Sequence, residues 1–371
     1  VSGDLDLSAV GTVTWSGAGQ VLCFGHPLFG AGSVSLPLTT AYVHTVLASE
    51  FNSVKLASAG EVVGALLEDR AFGVRGTLGA AAAQLPLRLD VTDAAGQVHR
   101  LRYGLMRHHS LTPILASLAV SDGLGSQAGN IARLAVPYRA TVYLAGGRTV
   151  EWQDQPASAA GTAALEPARE LGSRLRLLLD NSWREAQVDS VRLVAAVRPG
   201  SFGAVLESAW LLSGSARPGQ RLAVALRLRP ELGQSYVEQL ELQLPEFLPA
   251  GSYRLVVGDA DALVEAERSR APGVFRPATL EQALRVLELR QTHAAVYAAL
   301  YSEDIGASTG GTELPALPGG ALSALQDGRL QGGLQWVRAR RWALASKPLP
   351  CTLAGSQELN VDVESVESEG R

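Results

Sequence analysis

The feature that most constrains this chain is the way glycine interrupts short apolar runs in its first hundred residues. Gly60, Gly64, Gly73, Gly76 and Gly79 fall between segments too short for helices, and glycine at such intervals supplies the backbone freedom of tight turns. The pattern predicts a β-barrel-type unit rather than a helical bundle. Upstream, two β-type runs at 9–15 and 20–24 flank Ser16-Gly17-Ala18-Gly19 and read as a hairpin. The run 39–47 places Ala41, Val43, Thr45 and Leu47 on one face, and its β-branched residues favour strand over helix. The runs 85–91 and 99–103 enclose Asp93-Ala94-Ala95-Gly96 and form a second expected hairpin.

Further along, Thr112-Pro113 offers an N-cap followed by proline at the first helical position, with a short apolar helix over 114–120 ending near Gly123. Residues 121–133 are rich in Ser, Gly, Gln and Asn, which places a first boundary there. Strands are then expected at 140–144, 174–179, 190–197, 220–228, 236–244 and 252–257. The last follows Pro249-Ala250-Gly251, as in the final strand of many immunoglobulin-like sandwiches. From Pro277 the pattern changes: Thr279 can cap a helix whose Leu280, Ala283, Leu284 and Leu287 make an apolar stripe for core packing. A strand at 293–300, a proline-rich loop with a short helix at 314–325, strands at 335–344 and 359–363, and a frayed charged tail at 364–371 complete the expectation. The expected architecture is mainly β: a barrel-type unit over 1–130, an immunoglobulin-like β-sandwich over 134–260, and a small α+β region over 261–371.

Composition narrows the function. At 371 residues, 47% apolar and 18% charged, the chain is long enough for two or three domains and too apolar for disorder. Its net charge of -4 leaves no basic footprint for nucleic acid. Lysine occurs only at Lys55 and Lys347, which is background composition; the first residue is valine and the only methionine is Met106, as expected of a piece of a larger product. No run of ~20 apolar residues would span a bilayer. Cys23 and Cys351 stand far apart; either a disulfide or two separate buried thiols fits, and neither cysteine has the close neighbours of a metal site.

His26 is the residue most suggestive of chemistry. Glycine precedes it, proline stiffens the turn after it, and the imidazole follows an apolar strand. That placement suits a general base, or equally a ring that hydrogen-bonds within its own turn. His44 lies in a strand-like run and reads as packed or at an edge. Adjacent His108 and His109 on an extended strand would face opposite ways and could not easily chelate one metal. Glu303-Asp304 reads as a solvated turn, and Gly310-Gly311 and Gly319-Gly320 lack the lysine and helix of a phosphate loop. No cofactor is expected.

Five blocks in order resemble a known family: Gly11-Thr12-Val13-Thr14; Val21 through Pro27 with Gly25-His26-Pro27-Leu28-Phe29-Gly30; Val34-Ser35-Leu36-Pro37; Lys55 through Gly64; and Asp69-Arg70-Ala71-Phe72-Gly73-Val74-Arg75-Gly76. Together they are similar to the peptidase domain of the sporulation stage IV protein B (SpoIVB) family over roughly residues 1–130. The resemblance implies a trypsin-like double barrel and a general-base role for His26. It offers Asp69, and less readily Asp4 or Asp6, as the aspartate that orients the imidazole, although a local ion pair of Asp69 with Arg70 is an alternative. The family's Gly-Met-Ser-Gly-Ser-Pro nucleophile segment is missing from this sequence, and Ser33 and Ser35 lack a nucleophile-like turn. In larger bacterial proteins of this kind the serine segment precedes the Gly-His segment, so the resemblance implies that an upstream fragment of the same precursor supplies it, or that it has been lost. Two expectations follow. One is the His-bearing part of an extracytoplasmic serine peptidase, inactive in isolation. The other is a non-catalytic cell-surface assembly protein that uses a peptidase-derived fold and sandwich modules to contact protein partners.

Overall fold

The computed structural model describes residues 1–50, 53–183, 186–309, 312–314, 317–321 and 335–364. Strand is the dominant element, distributed over several sheets. The first is an open antiparallel half-barrel with strand order Val13–Gly17, Gln20–Cys23, Gly73–Leu78, Val54–Arg70, Gly32–Leu47. Its first hairpin turns at Ala18 and Gly19, both with positive φ (50° and 75°), the geometry that matches the twist of a two-residue hairpin. The two long strands, Gly32–Leu47 and Val54–Arg70, pair with four register shifts, and such bulges bend a ribbon. The buried core of this sheet is small: Val21, Cys23, Leu66 and Val74, flanked by half-buried Phe24, Leu28, Leu36 and Leu38.

The second sheet has six strands in the order Ser2–Gly3, Val98–Met106, Gln84–Thr92, Val188–Ala196, Tyr138–Leu144, Thr149–Asp154. Gln84–Thr92 runs parallel to Val188–Ala196, from Leu87 opposite Val191 to Thr92 opposite Ala196. The boundary expected at 130–134 therefore lies inside one sheet, because parallel neighbours need a long crossover and residues 111–179 supply it. That crossover carries helices α1 (Leu111–Ala128) and α2 (Glu166–Leu179), which pack on each other, and α1 lies over Gln84–Thr92 and Val98–Met106.

Helix α1 begins earlier and ends later than the sequence pattern predicts. Thr112 does not cap it; its hydroxyl donates to the Met106 carbonyl at 2.7 Å and accepts from the His108 amide at 2.8 Å. The amides of Ser110 and Leu111 turn instead to the His108 ring at Nδ1, both at 3.3 Å. Gly123 lies within the helix rather than ending it, because a β-carbon there would sit 2.6 Å from Leu89 and 2.7 Å from the Tyr103 hydroxyl. Residues 174–179, expected as a strand, end helix α2: Leu171, Leu175 and Leu178 recur at helical spacing and are all buried.

Two sheets formed by strands between Gly203 and Val363 pack as a β-sandwich around one core. One sheet contains Tyr236–Gln243, Arg221–Pro230, Gly203–Leu211 and Thr352–Ala354; the other contains Arg340–Pro348, Ala295–Ser302, Gly251–Gly258 and Ser356–Val363. The sandwich thus starts and ends later than 134–260. Residues 261–363 are not a separate α+β unit, because Ala295–Ser302 and Ser356–Val363 flank Gly251–Gly258 and close one core. Ala295–Ser302 is buried along almost its whole length. Val296, Ala298 and Leu300 face the sandwich core, while Ala295, Tyr297, Ala299 and Tyr301 pack with helix α3 (Ala260–Arg270) on the other side. Helix α4 (Leu280–Glu288) is capped by Thr279, whose side chain accepts from the Gln282 amide, and it packs Leu287 into the core of the six-stranded sheet, with Leu280 and Leu284 alongside. The loop and helix expected at 314–325 lie largely outside the described residues, as do Gly310, Gly311 and the end of the tail. Cys23 and Cys351 are both free thiols.

Candidate functional site

His26 leaves the half-barrel directly after strand Gln20–Cys23, on a loop whose backbone is held out of the ordinary regions. Phe24, not a glycine, has φ 74°, and Gly25, Gly30 and Gly32 follow at 69°, 66° and 75°. A non-glycine residue in this region costs about 1–3 kcal/mol and persists only where its surroundings over-determine it. Here they do. The Phe24 amide donates to the Thr12 carbonyl at 2.9 Å, and its ring covers Gly11 so closely that a β-carbon there would meet ring atoms at 2.6 Å.

Asp69 holds the other side of the loop. Its carboxylate is 1% exposed and accepts the amides of Leu28 at 2.8 Å, Phe29 at 2.7 Å and Ala31 at 3.3 Å. Successive amides converging on one anion make a nest that stabilises negative charge. Burial pushes the Asp69 carboxyl up, yet the bonds from Phe29, Leu28, Ala31 and Gly30 outweigh it and leave the carboxyl below its ordinary value. Asp69 therefore grips the backbone that follows His26; among the described residues it bonds neither the imidazole nor Arg70, whose ion pair is with Glu68 at 3.7 Å.

The imidazole itself is exposed, with its Nδ1 2.8 Å from the Pro27 carbonyl and its ring edge-on to Phe24 at 5.7 Å between centroids. A carbonyl only accepts, so the contact places the ring proton on Nδ1 and leaves the Nε2 lone pair facing outward. No serine hydroxyl among the described residues bonds this ring. Ser35 accepts the Ala83 amide at 2.7 Å instead, and Asp4 accepts the Arg102 amide at 2.6 Å, far along the chain from the His26 loop.

The other histidines form local structure. His44 Nε2 meets Ser58 Oγ at 2.7 Å on the exposed ribbon and stands edge-on to Tyr42. His108 and His109 lie in the turn after the strand, so their rings stack at 4.4 Å instead of facing opposite ways. Ser110 Oγ and Asp180 both approach His109 at Nδ1, at 2.8 and 3.2 Å. A relay would need the hydroxyl and the carboxylate on opposite ring nitrogens, so this trio is not one. Asp304 accepts the Ser302 hydroxyl at 2.5 Å. Among the described residues no group of three or more His, Cys, Asp and Glu could hold a metal, and no helix is long and apolar enough to cross a membrane.

A cavity of about 500 Å³ opens between the six-stranded sheet, α2 and α3, a feature that sequence spacing gave no sign of. Most of its charges pair with one another, while Asp259 caps α3 and Arg268 covers the Phe275 ring. His293 sits between Asp154 at 2.7 Å and Asp261 at 3.4 Å; Glu170 takes Arg174 at 2.6 Å and Arg290 at 3.2 Å; and Arg174 covers the face of Trp152 at 4.5 Å. The cavity is the polar seam where the six-stranded sheet meets the sandwich. With the geometry in place, comparison with known proteins adds no relative: no family model, curated protein or solved structure matches this chain.

Proposed function

We propose that this chain carries the general-base half of a SpoIVB-type serine peptidase centre, with the nucleophile supplied by a segment that approaches the open half-barrel. The observation that supports the reading is the His26 ring: exposed, tautomerically fixed by the Pro27 carbonyl, and mounted on a loop held in strained backbone geometry. A serine hydroxyl brought to Nε2 would pass its proton to the ring as its oxygen attacks a scissile carbonyl. The imidazolium would then return that proton to the leaving amine. The upstream part of the same precursor is the segment proposed for this role, in an extracytoplasmic setting, the periplasm or cell surface of a bacterium, with a trypsin-like barrel completed only when both parts meet. The sandwich would be an immunoglobulin-like accessory module, a reading supported by the Tyr253 hydroxyl, which donates to the Pro249 carbonyl four residues upstream at 2.7 Å.

A second reading, non-catalytic assembly, draws on a different observation. The ribbon exposes Tyr42, Val46, Leu47 and Val62 along its length, and the turn after it exposes Phe72 at 93%; exposed apolar surface of this kind suits contact with a partner. Fluorophosphonate labelling of the gene's full-length product separates the two. Labelling that is lost in His26→Ala supports the peptidase reading; a folded full-length product that takes no label overturns it in favour of assembly.

A further inference from the structure

Resting on the reading of His26 as a base, we propose that Asp69 is a positioning residue that orients the imidazole through the backbone, by holding the amides of Leu28 and Phe29, and not by bonding the ring. In a Ser-His-Asp arrangement the carboxylate sits on Nδ1 and fixes the tautomer directly. Here that position belongs to the Pro27 carbonyl at 2.8 Å. A carbonyl can do this only if its peptide plane is held still. The peptide group that carries the Pro27 oxygen also carries the Leu28 nitrogen, and the Leu28 amide is bonded to Asp69 at 2.8 Å. One planar unit therefore receives the carboxylate at its N–H and presents its oxygen to His26. The Phe29 amide, at 2.7 Å to the other carboxylate oxygen, prevents rotation about the first bond. On the opposite flank, the packing of Phe24 on Gly11 fixes the entry to the loop. The orienting function of a triad aspartate is thus relayed through a single peptide plane, with the buried charge shielded from the exposed ring.

The test is a ¹⁵N-histidine spectrum of the protein recorded at alkaline pH, together with amide hydrogen exchange. In the wild type His26 should show the Nδ1–H tautomer, and the Leu28 and Phe29 amides should be protected although they lie outside any strand. Asp69→Asn should mix the His26 tautomers and accelerate exchange at Leu28 and Phe29 roughly tenfold or more, as expected when a charge-assisted bond to a backbone amide is lost. Exchange at Val224 and Ala298 in the sandwich core should stay unchanged. Tautomer and loop protection that are indifferent to Asp69→Asn overturn the proposal. Should that variant lose the half-barrel altogether, the wild-type protein decides alone: an Nδ1–H ring with protected Leu28 and Phe29 amides supports the relay, and a dominant Nε2–H ring or unprotected amides overturn it. Because neither readout needs turnover, failure of fluorophosphonate labelling would overturn the peptidase reading and leave this result standing.

Discussion

Asp154 shows how much one carboxylate can organise when the fold brings donors to it. Its two oxygens accept the Thr292 hydroxyl at 2.9 Å, the His293 amide at 2.7 Å and the His293 ring at 2.7 Å, so it ties the last strand of the six-stranded sheet to the segment that leads into the sandwich. The bond to Asp154, joined by that to Asp261, raises the His293 imidazole from 6.5 to about 10, against the effect of burial. A group whose pKa rises on folding stabilises the protein fully below its unfolded value, and that contribution is lost as pH climbs through the folded value. Urea unfolding should therefore show stability falling between pH 6.5 and 10. In His293→Gln most of that slope should vanish, a difference of about 2 kcal/mol, the scale of a charge-assisted hydrogen bond. Asp69 likewise gathers donors that are remote in sequence: its buried carboxylate accepts three loop amides at 2.7–3.3 Å.

At the scale of elements, glycine inside helices carries a packing role that its propensity hides. Gly123 costs helix α1 about 1 kcal/mol relative to alanine, but it lets the helix approach Leu89, Leu101 and Tyr103 within the reach of a missing β-carbon. Gly172 does the same where α2 crosses α1 at Ser117 and Pro113. Gly123→Ala should lower stability by roughly 1–3 kcal/mol, the cost of overpacking a filled core, despite the better helix former. A thermal melt at fixed pH reads the difference, and a melting temperature that rises would show that the sheet yields. The strand-like run at 174–179 misleads for a related reason. Leucine at 175, 177, 178 and 179 fits either element by local pattern, and the contact of Leu171, Leu175 and Leu178 with one core selects the helix. Where the local signal has a unique solution, as with Thr279 capping α4, the element is where the sequence places it; the first hairpin forms as expected, but its strand runs on through Ser16 and Gly17, so the turn narrows to Ala18-Gly19. The buried Glu267–Arg270 pair in α3, at 2.6 Å and joined by Glu313 and Arg341, leaves no comparable trace in local spacing.

On the scale of the whole molecule the governing fact is that the sheets ignore composition boundaries. The polar stretch 121–133 reads as a linker, yet 121–128 lie in α1, and the crossover returns to lay Val188–Ala196 beside Gln84–Thr92. A fragment ending at residue 130 would leave Leu87, Leu89 and Val91 without α2 and the neighbouring strand that bury them. We expect that fragment to unfold without a cooperative transition and to bind a hydrophobic dye, whereas the chain extended to residue 197 restores the six strands. Cooperative unfolding of fragment 1–130 would show that the half-barrel and first hairpin stand without the crossover. Similarly, Ser356–Val363 pairs with Gly251–Gly258 from Ser356 opposite Gly258 to Val363 opposite Gly251, so the chain's last described strand completes a sandwich begun at residue 203.

What depends on neighbours a few residues apart is legible in the sequence: strands from alternation, hairpins around Ser16–Gly19 and Asp93–Gly96, the capped stripe of α4, and His26 just past an apolar strand. Contacts between remote residues follow from the fold instead. Asp69 lies 41 residues from Leu28, Asp154 lies 139 from His293, and the parallel pair joins residues about a hundred positions apart. Hydrogen bonds and hydrophobic burial act over a few ångströms of space, and local spacing cannot report which remote groups the folded backbone brings into that range.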